Sequence, residues 1–138
     1  MELGTKAVLT LEAAKAIAAA AYAEATKNGW NMAICVVDDG GHLLYLERMD
    51  GTQLASVQVA QDKARTAVLF KRPTKALEDA VAGGRTVLLK LSGATPLEGG
   101  LPILVGGQVI GAIGVSGASA SQDGQVASAG LTGLSGIQ

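Results

Sequence analysis

The sequence predicts an α+β domain: a mainly antiparallel sheet with helices packed around it. Three observations carry that prediction. Two glycine-marked turns, Asp39-Gly40-Gly41 and Gly106-Gly107, each separate two apolar strand runs. Stretches with helical spacing of small apolar residues precede the first hairpin and lie between the two. No strand–helix–strand rhythm and no dinucleotide fingerprint accompany them, so a parallel nucleotide-binding sheet is excluded. With 138 residues the whole chain, 1–138, is expected to form one domain.

The elements follow in order. Residues 11–28 form the first helix, with Thr10 as its cap and Gly29 where a left-handed residue closes it. Leu11, Ala14, Ala18, Ala21 and Ala25 give it a stripe small enough to lie close to a sheet or a second subunit. Residues 31–38 and 42–49 make the first hairpin. A second helix spans 53–71, and Pro73 both stops it and starts a third over 74–82, closed by Gly83-Gly84. Residues 86–91 are expected as a short strand, which would make five in all. Residues 92–100 form a loop before the second hairpin, 101–105 with 108–116. Ser119 or Ser121 caps the last helix, with Asp123 in its first turn, and that helix fades among Gly130, Gly133 and Gly136.

Composition narrows the function classes. Hydrophobic residues at 49% against 17% charged support a buried core rather than disorder. A net charge of −1 and 3% aromatics argue against nucleic acid as a partner. A single cysteine, Cys35, excludes an internal disulfide, and its apolar neighbours mark it as a buried hydrophobe. No apolar run is long enough for a bilayer, and Met1-Glu2-Leu3-Gly4 has no leader pattern, so a cytoplasmic protein without a membrane partner is expected.

Standard catalytic signatures are missing, and one histidine, His42, cannot build a multi-histidine metal site. No metal ligands and no catalytic residues are therefore assigned. Candidate ligand-binding positions lie at strand ends and on the second helix. Met49 and Asp50 end a strand; Asp50 serves a ligand or caps the next helix, and Met49 lines a soft pocket or joins the core. Lys63 stands on a helix side with Ser56, Val59, Thr66 and Phe70, either in a buried bridge to Glu98 or Asp50 or receiving a ligand carboxylate. Arg65 is a further cation on that helix, more in keeping with a solvated one. Glu98-Gly99-Gly100 combines an acid with two residues that allow close backbone approach. Gly111, Gly114 and Gly117 on the last strand imply that another backbone or a flat ligand lies over it.

Six segments in this order resemble the GlcG/HbpS-like family, also called the haem-degrading domain family. They are Val37–Gly41, Glu47-Arg48-Met49-Asp50-Gly51, Lys63–Ala67, Pro73-Thr74, Leu97–Ile103 and Gly111–Gly117. The resemblance covers about residues 10–131 and extends to the C-terminal domain of PduO-type corrinoid adenosyltransferases, without their transferase domain. It implies a profilin- or PAS-like sandwich with a five-stranded antiparallel sheet, and a homo-oligomer from dimer to octamer.

What the resemblance implies for function is a small ligand-binding protein whose pocket takes haem, a corrinoid or a small carboxylate. Met49, Asp50, Lys63, Arg65, Glu98, Gly99 and Gly100 are the positions assigned to ligand binding. For haem, Met49, Tyr45 and Thr66 are the available axial donors, with Lys63 or Arg65 facing the propionates. Two alternatives stay open. One is an enzyme acting on a small organic acid, with Lys63 orienting the substrate and Glu98 or Asp50 moving protons. The other is a non-catalytic oligomeric sensor or scaffold module.

Overall fold

A computed structural model describes residues 1–134. The element order is α1 (Leu11–Asn28), β1 (Ala33–Asp38), β2 (Leu43–Arg48), α2 (Ala55–Leu69), α3 (Thr74–Ala82), a 3-10 segment (Thr86–Lys90), β3 (Gly100–Val105), β4 (Gln108–Ser116), α4 (Ala120–Leu131) and a final 3-10 turn (Thr132–Leu134). Of the glycines expected to end the last helix, Gly130 lies within it and Gly133 in the final turn; Gly136 lies outside the described residues.

The strands form one antiparallel sheet in the order β2-β1-β4-β3. The two hairpins therefore meet through their inner members, with Ala33 opposite Ser116 and Val37 opposite Ala112. The expectation of five strands is corrected to four among the described residues: residues 86–91 do not join the sheet. Their amides turn inward on the segment itself, Leu88 donating to Arg85 and Leu91 to Leu88. A stretch whose hydrogen bonds close locally has no need of a strand partner. Glycines at 83, 84 and 93 bracket it, and Val87 and Leu89 remain exposed.

Alternation along the strands sends side chains to two cores. Ile34, Val36, Ile113 and Val115 face α1 and α4, meeting Ile17, Ala21, Val126 and Ala127. Ala33, Cys35, Val37 and Ala112 face α2, meeting Ala60, Ala64, Ala67 and Val68. The sheet is thus sandwiched between helical layers. The α2 side is thin because it is made of alanine and glycine. A Cβ on Gly114 would be 2.6 Å from the Ala64 amide nitrogen, so helix and strand backbones touch there. That answers the glycine pattern of the last strand: at Gly114 another backbone, rather than a flat ligand, lies over it. Cys35 sits in this core, fully buried, and burial pushes its thiol up to about 12.

Capping follows the sequence signals at α1 and α4, but Asp50 does not cap the second helix: α2 starts at Ala55 behind Leu54, with no side-chain cap. Thr10 accepts from the Ala13 amide, and Gly29 adopts φ 73°, a left-handed value that favours glycine. Of the two candidate caps for the last helix, Ser119 is the one used, in a reciprocal capping box with Gln122.

Candidate functional site

One end of the sheet gathers nearly every position singled out in the sequence. There β2 and β4 finish while β1 and β3 begin. Glu98-Gly99-Gly100 enters at the β3 margin and Met49-Asp50 leaves at the β2 margin. Two strands separate these margins, so the positions share an end without forming one cluster. Adjacent strands lie about 4.8 Å apart, which spreads the two groups over roughly 14 Å.

The β3 margin is closed. Lys63 on α2 is 3% exposed, and its Nζ donates to Asp123 Oδ2 at 2.9 Å and to the Val115 carbonyl at 3.0 Å. Of the alternatives open for Lys63, the buried bridge is what the structure shows. Its partner is Asp123 at the start of α4, not Glu98 or Asp50. The bridge joins the two helical layers around the sheet end. Burial pushes the Asp123 carboxyl above its ordinary range, opposed by the amides of Ala118 and Gly117 and by Lys63.

The other residues of this margin hold one another. Gly99 is the surface along which Lys63 runs: a Cβ there would be 2.9 Å from Nζ. Gly100 donates its amide to Thr74 Oγ1 at 2.9 Å. The Glu98 amide donates to Glu78 Oε1 at 3.0 Å, and its carboxylate lies over Gly124 of α4. Thr66, a candidate axial donor, is fully buried; its hydroxyl donates to the Asp62 carbonyl at 2.7 Å and accepts from the Thr95 amide at 2.9 Å. Arg65 lies elsewhere, exposed beside Gly41 at the opposite end of β1. His42 is likewise exposed at that turn, its Nδ1 3.2 Å from Asp38 Oδ1.

The β2 margin is open. Between α1 and β2 runs a trough made of two hollows of about 460 and 180 Å³. The larger is within the usual size of ligand clefts, about 300–1,000 Å³. Lys15, Ala19, Tyr22 and Thr26 line it from α1 at helical spacing, and Tyr45 and Glu47 of β2, with Met49 just beyond it, line it on alternate positions. Trp30, Asn31, Arg48 and Asp50 form its end wall. The left-handed Gly29 turns the chain so that Trp30 reaches this wall, its amide bonded to the Ala25 carbonyl at 2.9 Å. Burial pushes the Glu47 carboxyl upward.

Of the trough-lining residues, Met49, Asp50 and Tyr45 were singled out from the sequence as ligand candidates, and Tyr22, Trp30 and Asn31 were not. One signal for them was available: in a chain with so few aromatics, Tyr22 recurs at helical spacing with Lys15 and Thr26, and Trp30 directly follows the helix-ending glycine.

The sheet order, the flanking layers and the trough define the class: an α+β domain with a closed and an open margin at one sheet end. Comparison with known proteins gives the family. Residues 9–132 match the family described as "Haem degrading protein HbpS-like", and the chain belongs to that family. It is 50% identical over 112 residues to "Protein GlcG" of Escherichia coli K12, covering 81% of this chain and 84% of GlcG. Among solved structures, a double mutant of HbpS from Streptomyces reticuli superposes with a TM-score of 0.87 at 38% identity, covering 96% of this chain and 90% of that one. A complex of PduOC with haem superposes with a TM-score of 0.84 at 28% identity, covering 94% and 96%. Among the described residues no helix is long and apolar enough to cross a membrane, and no group of three or more histidine, cysteine or acidic side chains is placed to hold a metal ion.

Proposed function

We propose that the chain binds haem or a closely related tetrapyrrole in the trough between α1 and β2. One observation carries this reading. The chain has one tryptophan, two tyrosines and one phenylalanine, and all but Phe70 line the trough. Aromatic faces gathered in a solvent-accessible groove suit a flat, largely apolar macrocycle. The PduOC neighbour, solved as a haem complex, supports the same class of ligand.

The residues present fit the group. Trp30, Tyr22 and Tyr45 offer ring faces and edges. Met49 would hold the iron through its sulfur, or a tyrosine through its phenolic oxygen. Arg48 at one end and Lys15 at the other supply cations for two propionates. Haem, when bound, would supply redox and ligand-binding chemistry at its iron. The chain's own part is to stack the ring, orient it and limit water on the protein-facing side. A homo-oligomer belongs to this proposal as well, supported by the exposed apolar side chains of Val87, Leu89 and Leu97.

A small organic acid at Lys63 is the weaker reading, because its carboxylate would have to displace Asp123 from a buried ion pair.

The test is a haemin titration of the full chain followed by Soret absorbance, with Tyr22→Ala and Trp30→Ala alongside. Saturable binding is expected, weakened about tenfold by each substitution, the scale of one lost aromatic contact. Haemin binding that does not saturate, or that both variants leave unchanged, removes the reading.

A further inference from the structure

The closed and open margins are connected by a short, continuous path. Asp123 uses one carboxylate oxygen to take the Lys63 ammonium at 2.9 Å. The other accepts the Ala118 amide at 3.0 Å. Asp123 therefore fixes the turn that leaves β4. Gly117 in that turn lies against the Asn31 carbonyl and the Met32 backbone so tightly that a Cβ would be 2.8 Å from the Met32 Cα. Met32 in turn accepts the Met49 amide at 3.0 Å. Asn31 and Met49 are trough residues, and Trp30 precedes Asn31 in the chain. The Asn31 side-chain amide also abuts Gly51, in the loop that follows Met49 and Asp50.

We propose that Lys63 and Asp123 are positioning residues for the trough: by pinning the Gly117-Ala118 turn they set where Trp30, Asn31 and Met49 stand. The arrangement differs from a simple fastener between layers. A fastener needs only the Lys63–Asp123 contact. Here the carboxylate has a second oxygen committed to the turn, and the turn is in backbone contact with the trough wall. Lys63 completes the arrangement by balancing a carboxylate that would otherwise be buried with only the Ala118 amide as donor. The two candidate clusters of the sequence thus act on one site, one by touching the ligand and one by holding the residues that do.

The ligand arm of this inference rests on the tetrapyrrole reading, so the test has an arm that needs no ligand. Trp30 is the only tryptophan, and its emission reports the trough wall directly. Two charge-free pairs are compared in the full chain, with circular dichroism to establish folding. Lys63→Met with Asp123→Leu removes the acceptors of the turn. Lys63→Met with Asp123→Asn keeps a carbonyl acceptor. The leucine pair is expected to shift Trp30 emission to longer wavelength and raise acrylamide quenching, and the asparagine pair to stay near wild type. A destabilised control, Ile103→Val, lies in the core and leaves emission unchanged.

Haemin binding is expected to weaken about tenfold in the leucine pair, the lower end for loss of an orienting partner. If both folded pairs keep wild-type emission and quenching, the positioning role is overturned whether or not haemin binds. If wild type fails to bind haemin saturably, the tetrapyrrole reading falls while the emission result still decides the positioning. Should the leucine pair not fold, amide hydrogen exchange in the wild type decides: Gly117 and Ala118 are expected to be protected like strand amides. Exchange at the rate of exposed turn amides overturns the proposal.

Discussion

The two margins of one sheet end use opposite physical strategies. At the β3 margin the buried polar groups are paired: the Lys63 ammonium with Asp123 and the Val115 carbonyl, the Gly100 amide with Thr74, and the Glu98 amide with Glu78. At the β2 margin tyrosines, a tryptophan, a methionine and two carboxylates line a cleft open to water. Satisfied polar groups in a dry setting make a rigid scaffold. Aromatic side chains left half-exposed in a cleft are the kind of surface that binding covers. The difference teaches that a charged residue on an apolar helix face marks the frame of a site as readily as its centre.

Breaking the closed margin gives the largest effect. Asp123→Leu leaves the Lys63 ammonium buried with only the Val115 carbonyl as partner. An uncompensated buried charge destabilises a domain by about 4 kcal/mol. Urea unfolding checks this, and adding Lys63→Met to the same chain is expected to restore most of the loss. Equal stability of the single and double variants would show that the ammonium escapes to solvent.

Next in size is Gly114→Val, which tests whether the thin α2 face is as tight as its backbone contact indicates. The added side chain meets the Ala60 carbonyl, the Ala64 amide and the Ala64 methyl. Overpacking of this kind costs about 3 kcal/mol, because helix and strand must separate along their length. The same substitution leaves the trough on the other face, so Trp30 emission in the folded variant is expected to stay at the wild-type wavelength.

The contrast also explains what was legible from sequence. Helical periods, glycine turns and capping residues are local, and they placed α1 and α3 at their observed bounds and both hairpins within two residues. The extra strand failed because residues 86–91 have strand-like side chains but close their hydrogen bonds locally. At the site, Lys63 stood out as a lone cation on a small-residue face. Its partner did not, because Asp123 is 60 positions away and also suits the ordinary role of an acid in a helix first turn. The α1–β2 trough was legible only in parts. Its lining comes from two elements whose separation across the edge of the sheet no local pattern encodes.

Met49→Ala probes the boundary between frame and site. Met49 is partly buried against the larger core and also lines the trough. Truncation is expected to destabilise by about 2 kcal/mol, the low end for methionine to alanine, because the side chain is only partly covered. Thermal unfolding checks that loss. If the sulfur is a ligand to bound haem iron, the variant also changes the Soret position. A stability loss with an unchanged spectrum assigns Met49 to the frame alone.

The smallest expected effect is a pH dependence at the open margin. Burial holds the Glu47 carboxyl above its ordinary range, so the folded protein binds that proton more tightly than the unfolded chain does. The stabilising contribution is then complete below the unfolded carboxylate range and is lost as pH rises through the folded value. Above that window the ionised side chain is a small burden that Glu47→Gln removes. The variant is expected to gain on wild type as pH rises from the carboxylate range to neutrality. The gain is below about 1 kcal/mol, because water still reaches much of the side chain and screens the charge. Unfolding free energies of both forms across that range read the difference directly. A difference that is flat with pH would place Glu47 in free contact with solvent and make the trough more open than its lining indicates. A difference that grows as haemin is added would show that ligand covers Glu47, since excluding water raises the penalty for its charge. That outcome would tie the ionisation of Glu47 to occupation of the trough.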